Sequence, residues 1–287
     1  PESEMTLLVK KGLEPLLEDF PDADRIRTWE PGSGRGWRAI LRLSARLRRD
    51  RYDAVVIFNP SRLFHAASFL AGIPVRIGYR RKLGALLTRS IPDTKHLRSR
   101  HEAEYNLELA QLAGAVCEPI TLSIPVPQRK REEVCILLPA CAVEPGPGAP
   151  GIVGLHPWTS NPAKAWPLER FEALASRLAG HGITVWVVGE PEHRSQHFDG
   201  KELVGKIPLR LLPAVLQRCA VLVSNDSGPV HVAAAVGTAT VVVASRSHAR
   251  QMERWRPLGE RHAVLTDPTP EQALQAVREW IGQPCEP

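Results

Sequence analysis

The chain has 287 residues, 43% of them hydrophobic, which is enough for one large domain or two of ordinary size with sizeable cores. Its longest apolar runs fall far below the ~20 residues that cross a bilayer, and its five cysteines have neither paired nor metal-ligand spacing. These features exclude a membrane-spanning protein, a disulfide scaffold and a structural zinc site.

The net charge is +6, but positive charge is concentrated in one segment. Between Arg35 and Arg100 lie 16 Lys or Arg and only three acidic residues, a local balance of +13. This concentration indicates an anionic partner or, alternatively, a solvated basic face.

Strands and helices alternate through the first half of the sequence. The predicted elements are a strand at Met5–Val9, a helical turn at Gly12–Glu18, a Gly-rich loop at Pro31–Gly36, a helix at Trp37–Arg49, a strand at Val55–Phe58, a helix at Arg62–Leu70, a strand at Val75–Gly78 and a helix near His101–Leu112. This alternation is typical of a parallel sheet that is covered by helices on both faces.

The helix at Trp37–Arg49 is basic and amphipathic. Its spacing places Ile40, Leu43 and Leu47 on one apolar face. Arginines recur at intervals of three or four residues on another face, at Arg35, Arg38, Arg42, Arg46 and Arg49. Because this stretch lacks interleaved aromatic residues and a groove-reading motif, its charge does not predict nucleic-acid binding.

Segments rich in Pro and Gly at 124–128 and 144–150 separate the two halves, since neither a helix nor a central strand accepts such residues. The stretch Arg129–Val143 between them stays ambiguous. The second half then repeats the alternation, with strands at Ile152–Leu155, Thr184–Val188, Val221–Ser224 and Thr240–Ala244 and helices at Leu168–Leu178, Pro208–Arg218, Pro229–Val236 and Pro270–Ile281. We therefore predict two Rossmann-like domains that face each other across a cleft, residues 1–127 and residues 128–287.

A polar turn follows the strand at Val221–Ser224 and leads into the next helix. It reads Asn-Asp-Ser-Gly-Pro-Val-His at 225–231, in which Ser227 or Gly228 can cap the helix and Pro229 suits its first position. The free N–H groups of a helix start and the helix dipole favour an anion, and open α/β sheets bind ligands at this edge. The turn therefore predicts a phosphate or diphosphate site, with a capped turn that binds no ligand as the alternative.

Two further loops follow predicted strands. The first runs from 156 to 167 and carries the hydroxyls of Thr159 and Ser160 together with Lys164, groups that can hydrogen-bond and neutralise a departing diphosphate. Lys164 can equally be an ordinary exposed lysine. The second loop ends in Gly-Glu-Pro-Glu at 189–192, where Glu192 or its neighbour Glu190 can bind ribose hydroxyls as in dinucleotide sites, although exposed glutamates are common.

The three loops, in this order, resemble bacterial glycosyltransferase family nine, the ADP-heptose:lipopolysaccharide heptosyltransferases. The matching patterns are the GLHP…KxWP loop, the GxPE turn and the NDSGPxH turn. Supporting segments lie at Tyr52–Ile57, Leu70–Tyr79 and Trp255–Gly259, so the resemblance extends over nearly the whole chain. The NDSGPxH and KxWP patterns are the specific ones.

The resemblance implies an α/β enzyme of the GT-B fold that transfers heptose with inversion from ADP-heptose to the inner core of lipopolysaccharide, without metal or other cofactor. Lys164 would stabilise the diphosphate and Glu192 would contact the ribose. The implied donor-binding residues are Thr159, Ser160, Lys164, Glu192, Asp226, Ser227, Gly228 and His231, and the candidate acceptor-binding residues are Arg62, Arg80, Arg81 and Lys82. The basic segment fits an anionic lipopolysaccharide-type acceptor and a cytoplasmic protein that is peripheral on the inner membrane.

Two features depart from the family. The family opens with a strand and an R-x-S-x-x-G-D loop whose aspartate is the expected catalytic base, whereas this sequence resembles the family from Met5–Val9 onward. We therefore expect a first βα unit of ~30 residues to precede it, and the catalytic residue stays unknown. Second, Ser245–Arg250 replaces a Gly-Pro-Thr-like loop. The alternatives are a non-catalytic module that binds sugar nucleotide or lipopolysaccharide, and another GT-B sugar-nucleotide enzyme such as an epimerase.

Overall fold

Two compact units make up the chain. The computed structural model describes residues 3–30, 36–116, 120–138, 151–193 and 198–281, so the predicted loop at 31–35, Arg35 and the Pro-rich segment 144–150 lie outside the described residues. One unit comprises residues 29–120 and the other comprises residues 1–28 and 121–287. This division differs from the predicted domains 1–127 and 128–287, because Arg129 and Lys130 form ion pairs with Asp19, and Leu16 packs beside Leu216.

The first two strands, β1 (Thr6–Lys10) and β2 (Arg25–Trp29), form a two-stranded sheet. A single 3-10 turn at Glu14–Leu16 lies between them and corresponds to the predicted helical turn. Strand β2 was not predicted, since its sequence is only five residues long and contains two arginines.

The unit of residues 29–120 contains a three-stranded parallel sheet. Its elements are α1 (Trp37–Asp50), β3 (Ala54–Ile57), α2 (Arg62–Leu70), β4 (Val75–Tyr79), β5 (Arg89–Ile91) and α3 (Glu102–Leu112), and β4 is the middle strand. The core joins Ile77 and Tyr79 to Tyr105 and Leu109 of α3. The buried Lys95 ammonium lies 2.5 Å from Glu102, 2.8 Å from Asn106 and 4.3 Å from the centre of the Tyr79 ring, which further fixes α3 to the sheet.

The other unit contains a six-stranded sheet in which every neighbouring pair is parallel, in the order β11-β10-β9-β6-β7-β8. The strands are β6 (Ile152–His156), β7 (Thr184–Val187), β8 (Lys201–Glu202), β9 (Cys219–Ser224), β10 (Ala239–Ala244) and β11 (His262–Thr266). The helices are α4 (Gln128–Leu137), α5 (Leu168–Gly180), α6 (Leu212–Gln217), α7 (Gly228–Ala235), α8 (Met252–Trp255) and α9 (Pro270–Arg278). The strand order reverses between β6 and β9, which is the switch point where such sheets bind ligands.

Helices cover this sheet on both faces, and its central strands are correspondingly rich in apolar residues. All six residues of β10 are buried, as expected of a strand that packs on both sides. The largest core cluster joins the strands to α5 and α9, with Trp166 set edge-on against Phe171 at a ring distance of 4.7 Å. The rigid edge of this sheet is what positions the loops described below.

The structure confirms the predicted alternation of strands and helices. Of the ambiguous stretch Arg129–Val143, it assigns residues 129–137 to α4, and residues 139–143 lie outside the described residues. Short elements escaped prediction, among them β5, β8, β11 and α8, because two to five residues give too few periods for a pattern to be recognised. Within the described residues, no helix combines the length and apolar character that crossing a bilayer requires.

Candidate functional site

Three loops and the segment after β10, which the sequence marked only as a departure from the family pattern, meet at the carboxyl edge of the six-stranded sheet. They follow β6, β7, β9 and β10, whose parallel directions bring all four strand ends to one side. His156 and Ser224, the last residues of β6 and β9, are neighbours in register across the switch point. The predicted phosphate turn and the predicted lysine loop are therefore adjacent, as expected for one shared site.

Asn225 joins these two loops. Its side chain is fully buried, its carbonyl oxygen accepts a hydrogen bond of 2.8 Å from the Trp166 backbone, and its amide donates to the Pro157 carbonyl. Both ends of the loop at 157–166 are thus bonded to one side chain. A buried side-chain amide whose oxygen and nitrogen both form hydrogen bonds holds its partners in place. Asn225 therefore positions the loop that carries Lys164.

Lys164, Asp226 and His248 form a connected group. The Lys164 ammonium and His248 Nε2 each lie 2.7 Å from the same Asp226 carboxylate oxygen, Oδ2. Asp226 and His248 are buried, whereas the Lys164 side chain is 26% exposed and can reach a ligand. The structure thus brings together two of the predicted residues and adds His248, which sequence reasoning missed. The available signal was the histidine within the segment that departs from the family pattern after β10.

The segment after β10 also contacts the Lys164 loop directly. The hydroxyls of Ser245 and Ser247 both donate to the Ala163 carbonyl, at 2.6 and 3.1 Å. Lys164 is the next residue, so its backbone is held from a second direction. The loop therefore depends on β10 as well as on Asn225.

The start of α7 has the geometry of an anion site. Ser227 occupies the N-cap position, as predicted, but its hydroxyl makes no capping bond to the helix. It lies instead 3.0 Å from the Ser224 hydroxyl and 3.2 Å from His156 Nδ1. Gly228 is exposed as the first helical residue, Pro229 follows it, and His231 is half-buried one turn along. Pro229 has no N–H and the Val230 N–H donates to the Ser227 carbonyl, so the helix start offers an anionic ligand the Gly228 N–H and the helix dipole.

The third loop is held by an aromatic stack. The Trp158 indole stacks on His193 with ring centres 4.4 Å apart and planes within 6°. It also lies so close to Gly189 that a Cβ atom there would come within 2.4 Å of the ring, so only glycine fits. Glu192 is exposed on the 3-10 turn Pro191–His193, beside the stack. The stack thus brings the loop of Glu192 against the loop of Lys164.

Thr159 and Ser160 lie between Trp158 and the Lys164 turn. Thr159 is half-buried and its hydroxyl accepts a long hydrogen bond of 3.4 Å from the Asn161 backbone, whereas Ser160 is exposed. The Asn161 side chain caps the 3-10 turn that contains Lys164 by accepting from Ala163 N at 3.1 Å. Both hydroxyls remain available at the surface of the site, although no described contact ties them to Lys164 or Asp226.

His156 gives the site a measurable pH dependence. Burial, and then the nearby charge of His193, lower its pKa from 6.5 to about 4. The unfolded chain therefore binds more protons between these values, and the free energy of unfolding is highest above the window and falls as pH decreases through it. We expect this group to account for a loss of about 2 kcal/mol between about pH 7 and about pH 5.

Chemical denaturation of the wild type and of His156→Asn at both pH values measures this contribution. Asparagine keeps a polar atom near Ser224 and Ser227 but does not titrate, so the variant should lack that part of the pH dependence. Identical pH dependence in the two proteins would show that His156 is not the group responsible.

The candidate acceptor residues lie in the unit of residues 29–120. Arg80 and Arg81 line a cavity of about 410 Å³ together with Pro92, Asp93 and His96. The Arg81 guanidinium lies 3.0 Å from Asp93. Burial acts to raise the pKa of Asp93, but the hydrogen bonds from Arg81 and from the Lys95 backbone outweigh it and lower that pKa.

The other two candidates in this unit lie at the start of α2 and just after β4. Arg62 is the exposed first residue of α2, and the Lys82 ammonium donates to the Pro60 carbonyl two residues before it. The contact brings Lys82 to the start of α2, while Arg80 remains exposed. The four basic residues thus lie in two segments that follow neighbouring strands of the three-stranded sheet, one after β3 and one after β4.

Comparison with known proteins adds an independent result. Residues 40–279 match the family model of glycosyltransferase family 9 (heptosyltransferase). The lipooligosaccharide heptosyltransferase 2 of Haemophilus influenzae is 22% identical over an alignment that covers 99% of this chain and 92% of that protein. Among solved structures, a family 9 glycosyl transferase from Veillonella parvula has a TM-score of 0.82 at 20% identity, covering 98% of this chain and 88% of the other. The ADP-heptose lipopolysaccharide heptosyltransferase II of E. coli has a TM-score of 0.77 at 21% identity, covering 98% and 90%. These matches confirm the predicted α/β fold of GT-B type.

Proposed function

The chain belongs to glycosyltransferase family 9, and from this membership and the geometry of the site we propose that it transfers heptose from ADP-heptose to the inner core of lipopolysaccharide, with inversion and without a metal ion or other cofactor. The E. coli structural relative acts, by its name, on ADP-heptose and lipopolysaccharide. The observation that carries the proposal is the Lys164–Asp226 pair at the switch point of the sheet, the place where α/β folds bind phosphorylated ligands.

On this proposal the donor diphosphate lies between the start of α7 and Lys164. The Gly228 N–H at the start of α7 donates to one phosphate, and the Lys164 ammonium neutralises the charge that develops as ADP departs. Asp226 and His248 orient the lysine, His231 lies nearby, and the hydroxyls of Thr159 and Ser160 complete the diphosphate contacts. Glu192 takes the ribose hydroxyls, since an exposed carboxylate beside the Trp158 stack suits a polar sugar edge.

The acceptor would bind the other unit through Arg62, Arg80, Arg81 and Lys82. Guanidinium groups recognise phosphate and carboxylate with two parallel hydrogen bonds, which matches an acceptor that carries phosphates and acidic sugars. We assign no catalytic base, since the R-x-S-x-x-G-D pattern that carries it in the family does not occur in these 287 residues. We further propose that the protein works at the cytoplasmic face of the inner membrane, where its basic segment favours anionic lipid.

Transfer by the full-length protein tests the proposal. ADP-heptose and heptose-deficient lipopolysaccharide are incubated without divalent metal, ADP release and acceptor mass are followed, and calorimetry compares ADP with UDP. Heptose on the acceptor and preference for ADP are expected. Tight ADP binding without transfer would indicate a non-catalytic module, and no nucleotide binding by a folded protein would overturn the donor site itself.

The acceptor assignment leads to a separate prediction. The double variant Arg80→Gln/Arg81→Gln should raise the KM for lipopolysaccharide on the order of tenfold, since each charge-assisted hydrogen bond contributes roughly 1 kcal/mol where solvent competes. The Kd for ADP should stay unchanged. Arg89→Gln is the matched control, because Arg89 is exposed in the same unit and donates to the Leu112 carbonyl outside the cavity. An equal effect of both variants on KM would point to general charge rather than to a binding site.

A further inference from the structure

Helix α1 has an outward face that the packing of its own unit leaves uncovered. Ile40, Leu43 and Leu47 are half-buried on its inner side and Ser44 is buried, which fixes the rotation of the helix. Beside this inner side, along the line that runs through Ser44, Trp37 is 66% exposed and Leu41, one turn later, is 48% exposed. Large apolar side chains this exposed and this regularly spaced on one helix are unusual in a monomeric soluble surface.

The apolar stripe continues into the end of α2. Arg48 follows Leu41 by seven positions and so lies on the same side of α1, where its guanidinium donates to the Leu70 carbonyl. Phe69 and Leu70 are themselves 47% and 41% exposed. We call the surface formed by Trp37, Leu41, Phe69 and Leu70 the apolar stripe.

A row of arginines runs along α1 beside the apolar stripe. Arg38, Arg42 and Arg49 are exposed, and within the described residues none of them forms an ion pair with an acidic side chain. The Arg38 guanidinium lies 5.5 Å from the centre of the Trp37 ring, so the two features adjoin. The charge of this row is thus directed to the outside rather than used within the fold.

We propose that α1 docks this protein on a bilayer that contains anionic phospholipid, lying in the plane of the interface. An apolar stripe flanked by arginines is the arrangement of interfacial helices, in which Trp and Leu enter the headgroup region and the guanidinium groups bind lipid phosphates. At 14 residues α1 is about 21 Å long, which places its row of charges along the surface instead of across the membrane.

A nucleic acid would also attract the arginines, but it does not explain the exposed Trp37 and Leu41 beside them. The docking surface is separate from the residues assigned to donor and acceptor. The inference rests on the proposed function only for which membrane is meant, namely the one that carries the lipopolysaccharide acceptor.

Co-flotation of the full-length protein with vesicles tests the proposal. The probes are vesicles of phosphatidylcholine and phosphatidylglycerol in a three-to-one ratio and vesicles of phosphatidylcholine alone. The wild type should bind the anionic vesicles. The triple variant Arg38→Gln/Arg42→Gln/Arg49→Gln should bind them on the order of a hundredfold more weakly, because each basic residue near an anionic surface contributes about fivefold. The triple variant with lysines at the same positions keeps the charge and should bind like the wild type.

The apolar stripe is tested separately with Trp37→Ser/Leu41→Ser, which should weaken vesicle binding while Trp37→Phe retains it. Vesicle binding that is unchanged in both the glutamine and the serine variants would overturn the proposal, as would binding that persists only to nucleic acid. All variants should keep the wild-type Kd for ADP. A variant that loses vesicle binding but keeps normal ADP binding would therefore show that α1 docks the protein. A wild type that does not bind ADP would instead contradict the proposed function and leave the role of α1 unaffected.

Discussion

Lys164→Ala is expected to lower kcat/KM for ADP-heptose by on the order of 10²- to 10³-fold, the effect of removing one preorganised group that stabilises developing negative charge. The reason is the position of its ammonium, fixed 2.7 Å from Asp226 Oδ2 yet 26% exposed toward the side on which a ligand approaches. Since we propose that no metal ion takes part, this cation is the main partner that the sequence offers to the departing diphosphate. Steady-state transfer assays with saturating acceptor measure the change.

Lys164→Arg is the control for charge. Arginine keeps the positive charge but has a planar, longer head group, so partial activity between that of the wild type and the alanine variant is expected. The alanine variant should lose some stability, because the buried Asp226 carboxylate loses the Lys164 ammonium, and denaturant unfolding checks that the variant is still folded under the assay conditions. Wild-type kcat/KM in Lys164→Ala would refute the role of this lysine in stabilising the leaving group.

Asp226→Ala is expected to reduce the stability of the unit with the six-stranded sheet by about 1–3 kcal/mol, the cost of leaving the buried His248 Nε2 without its partner. His248 and Asp226 side chains are only 6% and 7% exposed, so water cannot replace the lost carboxylate oxygen. Affinity for ADP-heptose should also fall, because Lys164 loses the group that orients it. Denaturant unfolding and calorimetry measure the two effects.

Asp226→Asn separates these effects. It keeps the shape and one acceptor oxygen, so stability should recover in part while the charge that holds Lys164 is lost. Glu133→Ala is the matched control, because Glu133 pairs with Arg210 at the surface and both members face solvent. Equal destabilisation by Asp226→Ala and Glu133→Ala would contradict the account of a buried charged group. A double-mutant cycle with Lys164→Ala should show coupling, since the two residues touch.

Much of this architecture was predictable because long strands between turn residues leave clear patterns. The sequence Val-Leu-Val-Ser before Asn-Asp-Ser-Gly-Pro predicts β9 and an N-cap at Ser227 or Gly228, and the structure confirms the strand and has Ser227 at the N-cap. Strand β11, His262–Thr266, escaped prediction because one apolar edge strand of five residues resembles many loops. Its position depends on pairing with β10, a contact that no local pattern reveals.

The site was predictable only in part, for a related reason. Lys164 and Asp226 stand 62 positions apart, and their pairing follows from the adjacency of β6 and β9, which a parallel sheet makes probable before any coordinates are known. His248 belongs to a segment that departs from the family pattern, so resemblance gave no role to carry over. The division of the chain was also hidden, because the ion pairs of Asp19 with α4 join segments more than a hundred residues apart.

The hydrogen bonds from Ser245 and Ser247 to the Ala163 carbonyl bear on attempts to redesign this enzyme for other sugar nucleotides. In a chimera that takes only the Lys164 loop from a relative, that loop would face a segment after β10 to which it is not matched. In a chimera that takes only the segment after β10, the Ala163 carbonyl would lose its hydrogen-bond donors. The Lys164 loop and the segment after β10 should therefore be exchanged together. Libraries that vary both segments at once should yield folded, active variants far more often than libraries that vary only one of them.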